Sequence, residues 1–229
     1  MYYLGVDLGT SSIKVLLADE NGRILGHASQ NYPLFFPAEN HAEQNPDDWY
    51  NGLIDCLAEL NDRYDLTQVD GVSFSGQMHG LVLLDRDDLV IRPAILWNDN
   101  RTTRECAYLN QAIGREKLVE WTGNIAFTGF TAPKVLWVKN NEPENFNRIA
   151  RIMLPKDYLI YKMSGIFASD VSDCSGTLYF DVAGGRWSQP ILEILGINQD
   201  QLPRVYQSYE VVGTVSPTFA EKTGLAPTA

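Results

Sequence analysis

Tyr2-Tyr3-Leu4-Gly5-Val6-Asp7-Leu8-Gly9-Thr10-Ser11-Ser12-Ile13-Lys14-Val15-Leu16-Leu17-Ala18 holds two strand-like runs around one tight turn. Tyr2 to Val6 is a short strand that ends at Asp7, Leu8 to Ser12 reverses the chain, and Ile13 to Ala18 runs back. Asp19-Glu20-Asn21-Gly22 is a second turn, and Arg23 to Tyr32 reads as a third strand, which completes a meander. Asn45-Pro46-Asp47-Asp48 then supplies an N-cap, a proline at the first helical position and acidic residues at the helix's positive end. Trp49, Leu53, Cys56, Leu57 and Leu60 follow at helical spacing, so a helix is predicted from Pro46 to Asn61. Val69 to Phe74 returns as a strand. Three strands, a crossover helix and a fourth strand imply an α/β layer fold.

Further along, the pattern is mostly helical: Arg101 to Ile113, Arg115 to Thr122, Ala132 to Asn140, Pro143 to Arg148 and Lys156 to Met163. Short strands are expected at Leu81 to Leu84, Ile149 to Leu154 and Leu178 to Asp181, and Trp187-Ser188-Gln189-Pro190 opens another helix. With no repeat or evident linker, the chain reads as one domain carrying a helical insertion.

Composition narrows the function. The 229 residues are 45% hydrophobic and 21% charged, which suits a globular protein with a sizeable core. A formal net charge of −11 opposes nucleic acid as a partner. Cys56, Cys106 and Cys174 are widely spaced, without a Cys-x-x-Cys pair, so neither a disulfide framework nor a zinc site is expected. No apolar run approaches the roughly 20 residues of a membrane span, and the expected compartment is the cytosol.

Two stretches carry chemistry. In the first turn, Gly9, Thr10, Ser11 and Ser12 can expose successive backbone N–H groups as a nest for phosphate oxygens. Asp7 at the strand end offers hard oxygens for Mg²⁺, and Lys14 lies on the next strand; a plain turn beside a solvated aspartate is the alternative. The second stretch, Gly76-Gln77-Met78-His79-Gly80, puts a histidine between glycines at the mouth of two apolar strands, where a small ligand can approach the backbone closely. Gln77 and His79 offer polar partners and Met78 an apolar surface; a buried structural histidine is the competing reading. His27 and His41 lack such context and are expected at the surface.

These stretches, with Arg92-Pro93-Ala94-Ile95-Leu96-Trp97-Asn98-Asp99, Gly129-Phe130-Thr131-Ala132-Pro133-Lys134-Val135-Leu136-Trp137-Val138, Leu154-Pro155-Lys156-Asp157-Tyr158 and Ser169-Asp170-Val171-Ser172-Asp173, resemble the FGGY family of carbohydrate kinases, within it the kinases of xylulose. The resemblance runs collinearly along essentially the whole chain. It implies an actin-like, ribonuclease-H-like fold, a mixed sheet with flanking helices, in which two domains close on sugar and Mg²⁺-ATP. The implied reaction transfers the ATP γ-phosphate to a sugar hydroxyl, with D-xylulose as the favoured substrate; gluconate, ribulose, fuculose and glycerol, or a non-catalytic actin-like module, are the alternatives.

Under the resemblance Asp7 lies near the metal, Gly9, Thr10, Ser11, Ser12 and Lys14 lie near the nucleotide phosphates, and Met78 and His79, with Gln77, contact the sugar. Trp97, Asn98, Asp99 and Arg101 form a further sugar-site group, although Asp99 or Asn100 is equally suited to cap the helix beginning near Arg101. Lys134 and Trp137 match the family pattern yet are expected to lock their helix against the domain. Asp157 suits a first helical turn, and Asp170 and Asp173 suit either the cleft or backbone donors. The family's catalytic aspartate, which follows paired glycines, has no counterpart here: Gly184-Gly185 precedes Arg186. Residues 1–229 therefore read as the sugar-binding N-terminal domain, with the base and a C-terminal nucleotide-binding domain expected beyond Ala229, and the association as a homodimer left open.

Overall fold

The computed structural model describes residues Met1 to Ala229. β1 (Tyr2–Leu8), β2 (Ser12–Asp19) and β3 (Ile24–Asn31) form the antiparallel meander, β4 (Glu43–Gln44) leads into α1 (Pro46–Asn61), and β5 (Val69–Gly76) follows. The sheet order is β3-β2-β1-β5, with β5 parallel to β1, so α1 is the crossover that parallel pairing requires.

Alternation along β1 and β2 decides which face α1 covers. Leu4, Val6, Leu8, Ile13, Val15 and Leu17 are buried, whereas Tyr3, Gly5, Asp7, Lys14 and Leu16 face outward. α1 seats Trp49, Leu53, Cys56, Leu57 and Leu60 on the buried face. At about 1.5–3 kcal/mol for each fully buried large aliphatic side chain, this face outweighs any local preference of the strands. Asn45 accepts a hydrogen bond from Asp47 N, and Pro46 starts the helix as expected.

Beyond the sheet the chain runs through β6 (Val82–Leu84), β7 (Ala94–Ile95), α2 (Thr103–Tyr108), α3 (Arg115–Thr122), α4 (Thr131–Asn141), α5 (Pro143–Arg148), β8 (Arg151–Met153) and α6 (Pro155–Ser164). It continues with β9 (Ala168–Asp170), α7 (Val171–Cys174), β10 (Phe180–Asp181), β11 (Arg186–Trp187), α8 (Gln189–Leu195), β12 (Arg204–Tyr206) and α9 (Pro217–Thr223). The helical region has its own core. β6 stands between the two cores: Val82 and Leu84 belong to the sheet side, Leu81 and Leu83 to the side built by α4 and α8.

The helix expected over Arg101 to Ile113 is instead α2 followed by a widened π turn at Leu109–Gly114. The Asn110 side chain explains it, because its amide nitrogen donates to Ala126 O at 3.0 Å and its oxygen accepts from Ala126 N at 3.1 Å. That two-way grip ties the widened turn to a neighbouring loop. No helix is long and apolar enough to cross a membrane.

Candidate active site

Asp7 ends β1 on the uncovered face of the sheet, opposite Lys14 on β2 and Ser75 on β5. Its carboxylate has no ion-pair or hydrogen-bond partner in the chain, and it belongs to no group of three or more ligands that could hold a metal ion. In the adjoining turn Gly9 N donates to Ser12 O at 3.0 Å, whereas the amides of Thr10 and Ser11 donate to nothing. The carbonyls are held from behind: Tyr32 Oη donates to Gly9 O, and Gln44 Nε2 to Thr10 O at 2.6 Å. Two free amides beside a free carboxylate suit a phosphate with a hard cation, which binds through one or two carboxylates while keeping its waters.

Sequence reasoning missed Gln44, a buried hub one residue ahead of a helix cap, where no periodicity marks it. Its Oε1 accepts from Trp49 Nε1 at 3.1 Å and from Gln77 Nε2 at 3.0 Å. The phosphate-type turn, the helix and the Gln77 loop thus share one side chain.

The Gln77–Gly80 loop is strained at the histidine and not at its glycines. His79 has φ +62°, whereas Gly76 and Gly80 are outside the left-handed region. Gly80 is needed for closeness, as a Cβ there would stand 2.5 Å from Pro155 Cγ. Such strain costs about 1–3 kcal/mol. Lys134 on α4 holds it in place: its buried Nζ donates to His79 O at 2.9 Å and to Gly129 O at 2.7 Å, with Thr131 Oγ1 also on His79 O at 3.2 Å. The expected locking role of Lys134 is seen, and what it locks is the histidine loop. Burial pulls the Lys134 pKa down to about 7, opposed by the Asp99 charge and assisted by Arg101.

The His79 ring packs on Phe130, centroids 4.8 Å apart, and on Gly176, where a Cβ would lie 2.1 Å from Cε1. Gly176 therefore has to be glycine for the ring to stay where it is, a requirement invisible in its local sequence. Burial, and then the Lys134 charge, lower the His79 pKa to about 4, so the imidazole is neutral at ordinary pH. Its Nδ1 is buried against the Gly176 backbone without a hydrogen bond of good geometry, and Gln77 Oε1 and Asn98 Oδ1 are buried without a partner. Trp97 stands half exposed, its Nε1 donating to Thr10 Oγ1 at 3.0 Å, and its carbonyl lies 2.9 Å from where a Gly129 Cβ would be. Met78 is 52% exposed. These contacts link Thr10, Trp97, Gly129, Phe130 and His79 into one contiguous group.

Asp99 and Arg101 are placed in the interior. Asp99 is fully buried and accepts from Ala42 N at 2.6 Å, Arg101 N at 2.9 Å and the Arg101 guanidinium. Arg101 also pairs with Glu43 at 2.7 Å and lies over the Trp137 ring. Neither Asp99 nor Asn100 caps α2, since Thr102 precedes that helix without a side-chain cap. Asp170 caps α7 through Ser172 N and Asp173 N, while Lys156 gathers Asp157, Asp170 and Asp173 within 3.3 Å. His27 is exposed as expected, but His41 is half-buried, edge-on to Trp137 at 6.0 Å.

Residues 2–229 match the profile of the "FGGY family of carbohydrate kinases, N-terminal domain". The chain belongs to this family. It is 44% identical over 226 residues to the xylulose kinase of Bacillus subtilis, covering 98% of this chain and 45% of that protein. The xylulose kinase of Escherichia coli is 41% identical over 224 residues, covering 98% of this chain and 46% of its own length. The crystal structure of a "xyloylose kinase" from Brucella ovis superposes with a TM-score of 0.95 at 38% identity, over 99% of this chain and 46% of that one. The fold is thus the actin-like ATPase type of the FGGY sugar kinases, and the chain spans about half the length of the curated relatives it matches.

Proposed function

We propose that this FGGY chain is the N-terminal, sugar-binding half of a cytosolic ATP-dependent kinase that phosphorylates D-xylulose to D-xylulose 5-phosphate. The observation that carries the reading is the set of buried polar atoms without a well-formed hydrogen bond on Gln77, His79 and Asn98, with the His79 ring against Phe130. A buried polar atom without a partner costs about 1–3 kcal/mol, a cost that a polyhydroxyl ligand removes by hydrogen bonding. The ligand is neutral: the imidazole carries no charge, and Arg101 is already committed to Asp99 and Glu43. A sugar acid would need a free fork of donors. D-xylulose is the substrate named by the relatives at 44% and 41% identity.

In this reading Gln77, Met78, His79, Trp97 and Asn98 line the sugar site, while Asp99 and Arg101 support Trp97 and Asn98 from beneath. Asp7 would hold Mg²⁺, which when bound offsets charge on the transferred phosphoryl group. The Thr10 and Ser11 amides, in the turn from Gly9 to Ser12 with Lys14 beside it, would receive phosphate oxygens. The base and the adenosine site belong to a second, C-terminal domain. The 229-residue chain by itself is accordingly expected to give no ATP-dependent phosphorylation of D-xylulose, checked in a coupled assay for ADP release. Turnover abolished by Asp7→Ala would overturn this division of labour.

The binding role is tested with His79→Ala. A hydrogen bond to a neutral hydroxyl contributes about 0.5–1.5 kcal/mol, so ketose affinity is expected to fall roughly three- to tenfold. Ligand-observed NMR gives the affinity, and thermal unfolding is measured alongside. Lost binding at an unchanged Tm supports a ligand contact, whereas a collapsed Tm with unaltered binding would make His79 structural.

A further inference from the structure

Where α2 crosses α4, away from the His79 loop, lies a hollow of about 580 Å³ lined by Arg104, Glu105, Tyr108, Trp137, Lys139 and Asn140, among others. Its charges are not spent on one another. Arg104 is exposed and forms no ion pair, and Lys139 reaches only Ile194 O at 3.5 Å and the Phe146 ring at 5.8 Å. Both cations are therefore free to meet an anion at the hollow. Glu105, 7% exposed, accepts from Asn140 Nδ2 at 3.3 Å with Oε1, but its buried Oε2 has no partner.

We infer that this hollow binds a phosphorylated sugar. Arg104 and Lys139 supply donors for the phosphate, a planar fork and a point charge respectively. The unpartnered Glu105 oxygen accepts from a hydroxyl, and the rings of Tyr108 and Trp137 flank the carbon chain. A bare anion would leave Glu105 unsatisfied; an unphosphorylated sugar would leave both cations unused. The charge and hydrogen-bond pattern stands without the kinase reading, on which only the choice of a pentose phosphate rests, and that choice makes the hollow a second place where product binds.

The test is ¹H–¹⁵N NMR of the 229-residue chain titrated separately with D-xylulose 5-phosphate, inorganic phosphate and D-xylulose. The phosphosugar is expected to shift amides 104–108 and 139–141 and the Trp137 indole saturably. Inorganic phosphate is expected to bind there at least fivefold more weakly, and D-xylulose to move only amides near 77–80 and 97–98. Arg104→Gln with Lys139→Gln is expected to weaken phosphosugar binding about fivefold or more, and Glu105→Gln to narrow its preference over phosphate; the spectrum of each variant reports whether the fold is kept. Equal affinity for phosphate and phosphosugar, shifts confined to the His79 loop, or undiminished binding by the folded double variant would each overturn the proposal. Failure of D-xylulose to move amides 77–80 would instead count against the sugar site alone.

Discussion

On the proposed kinase reading, Asp7→Asn, introduced into a chain that carries the proposed C-terminal domain, is expected to lower kcat by roughly 10²–10³-fold while the sugar KM changes by less than about threefold. The carboxylate sits at the end of β1 on the uncovered face, with no partner inside the chain. Its removal therefore costs the fold nothing, and Tm should be unchanged. Asn keeps the shape and one acceptor oxygen but loses the charge. A group that positions a metal acts chiefly on charge developing during transfer, so the loss belongs in kcat. Steady-state kinetics in both substrates separates the cases: a defect confined to the sugar KM would move Asp7 into the sugar site.

The sheet was legible because its rules are local. Alternation over Tyr2 to Ala18 and the Asn45-Pro46 start of α1 each specify one element without distant help, and both stand as read. The Asn110 grip on Ala126 was not legible, since nothing near Asn110 reveals a loop sixteen positions away folding back on it. The site divides the same way. Gly76 to Gly80 marks its own loop, but the parts that hold His79 come from elsewhere: Lys134 from α4, Phe130 from the loop before it and Gly176 from after α7. Asp99 and Arg101 were polar residues beside a half-exposed Trp97, and only the pairing of Arg101 with both Asp99 and Glu43 shows that they face inward. Single-residue chemistry reads from sequence; the partner that satisfies or leaves free that chemistry is a tertiary fact.

Lys134→Met should carry the largest effect on the architecture of the proposed sugar site. The substitution keeps the length of the side chain and removes the cost of burying an amine, yet Gly129 O loses its Nζ donor and His79 O keeps only Thr131. At about 1–3 kcal/mol for a stranded buried group, and with the left-handed His79 no longer clamped, a loss of roughly 2–4 kcal/mol in stability and about tenfold or more in ketose affinity is expected. A merely structural lysine would give the first without the second once both proteins are compared well below their Tm. The pH dependence gives an independent signature. Lys134 titrates near 7 in the folded chain against 10.5 for a free lysine, so between these values the unfolded chain binds more protons and folding becomes more favourable as pH rises. The stability difference between wild type and Lys134→Met should therefore widen from pH 7 to about pH 9.5, measured by denaturant unfolding at each pH. Ketose binding by the wild type should stay level over the same range, because a neutral amine retains two N–H groups, enough for His79 O and Gly129 O both. A stability difference independent of pH would mean that Lys134 stays protonated, and the clamp would then rest on charge instead of on two hydrogen bonds.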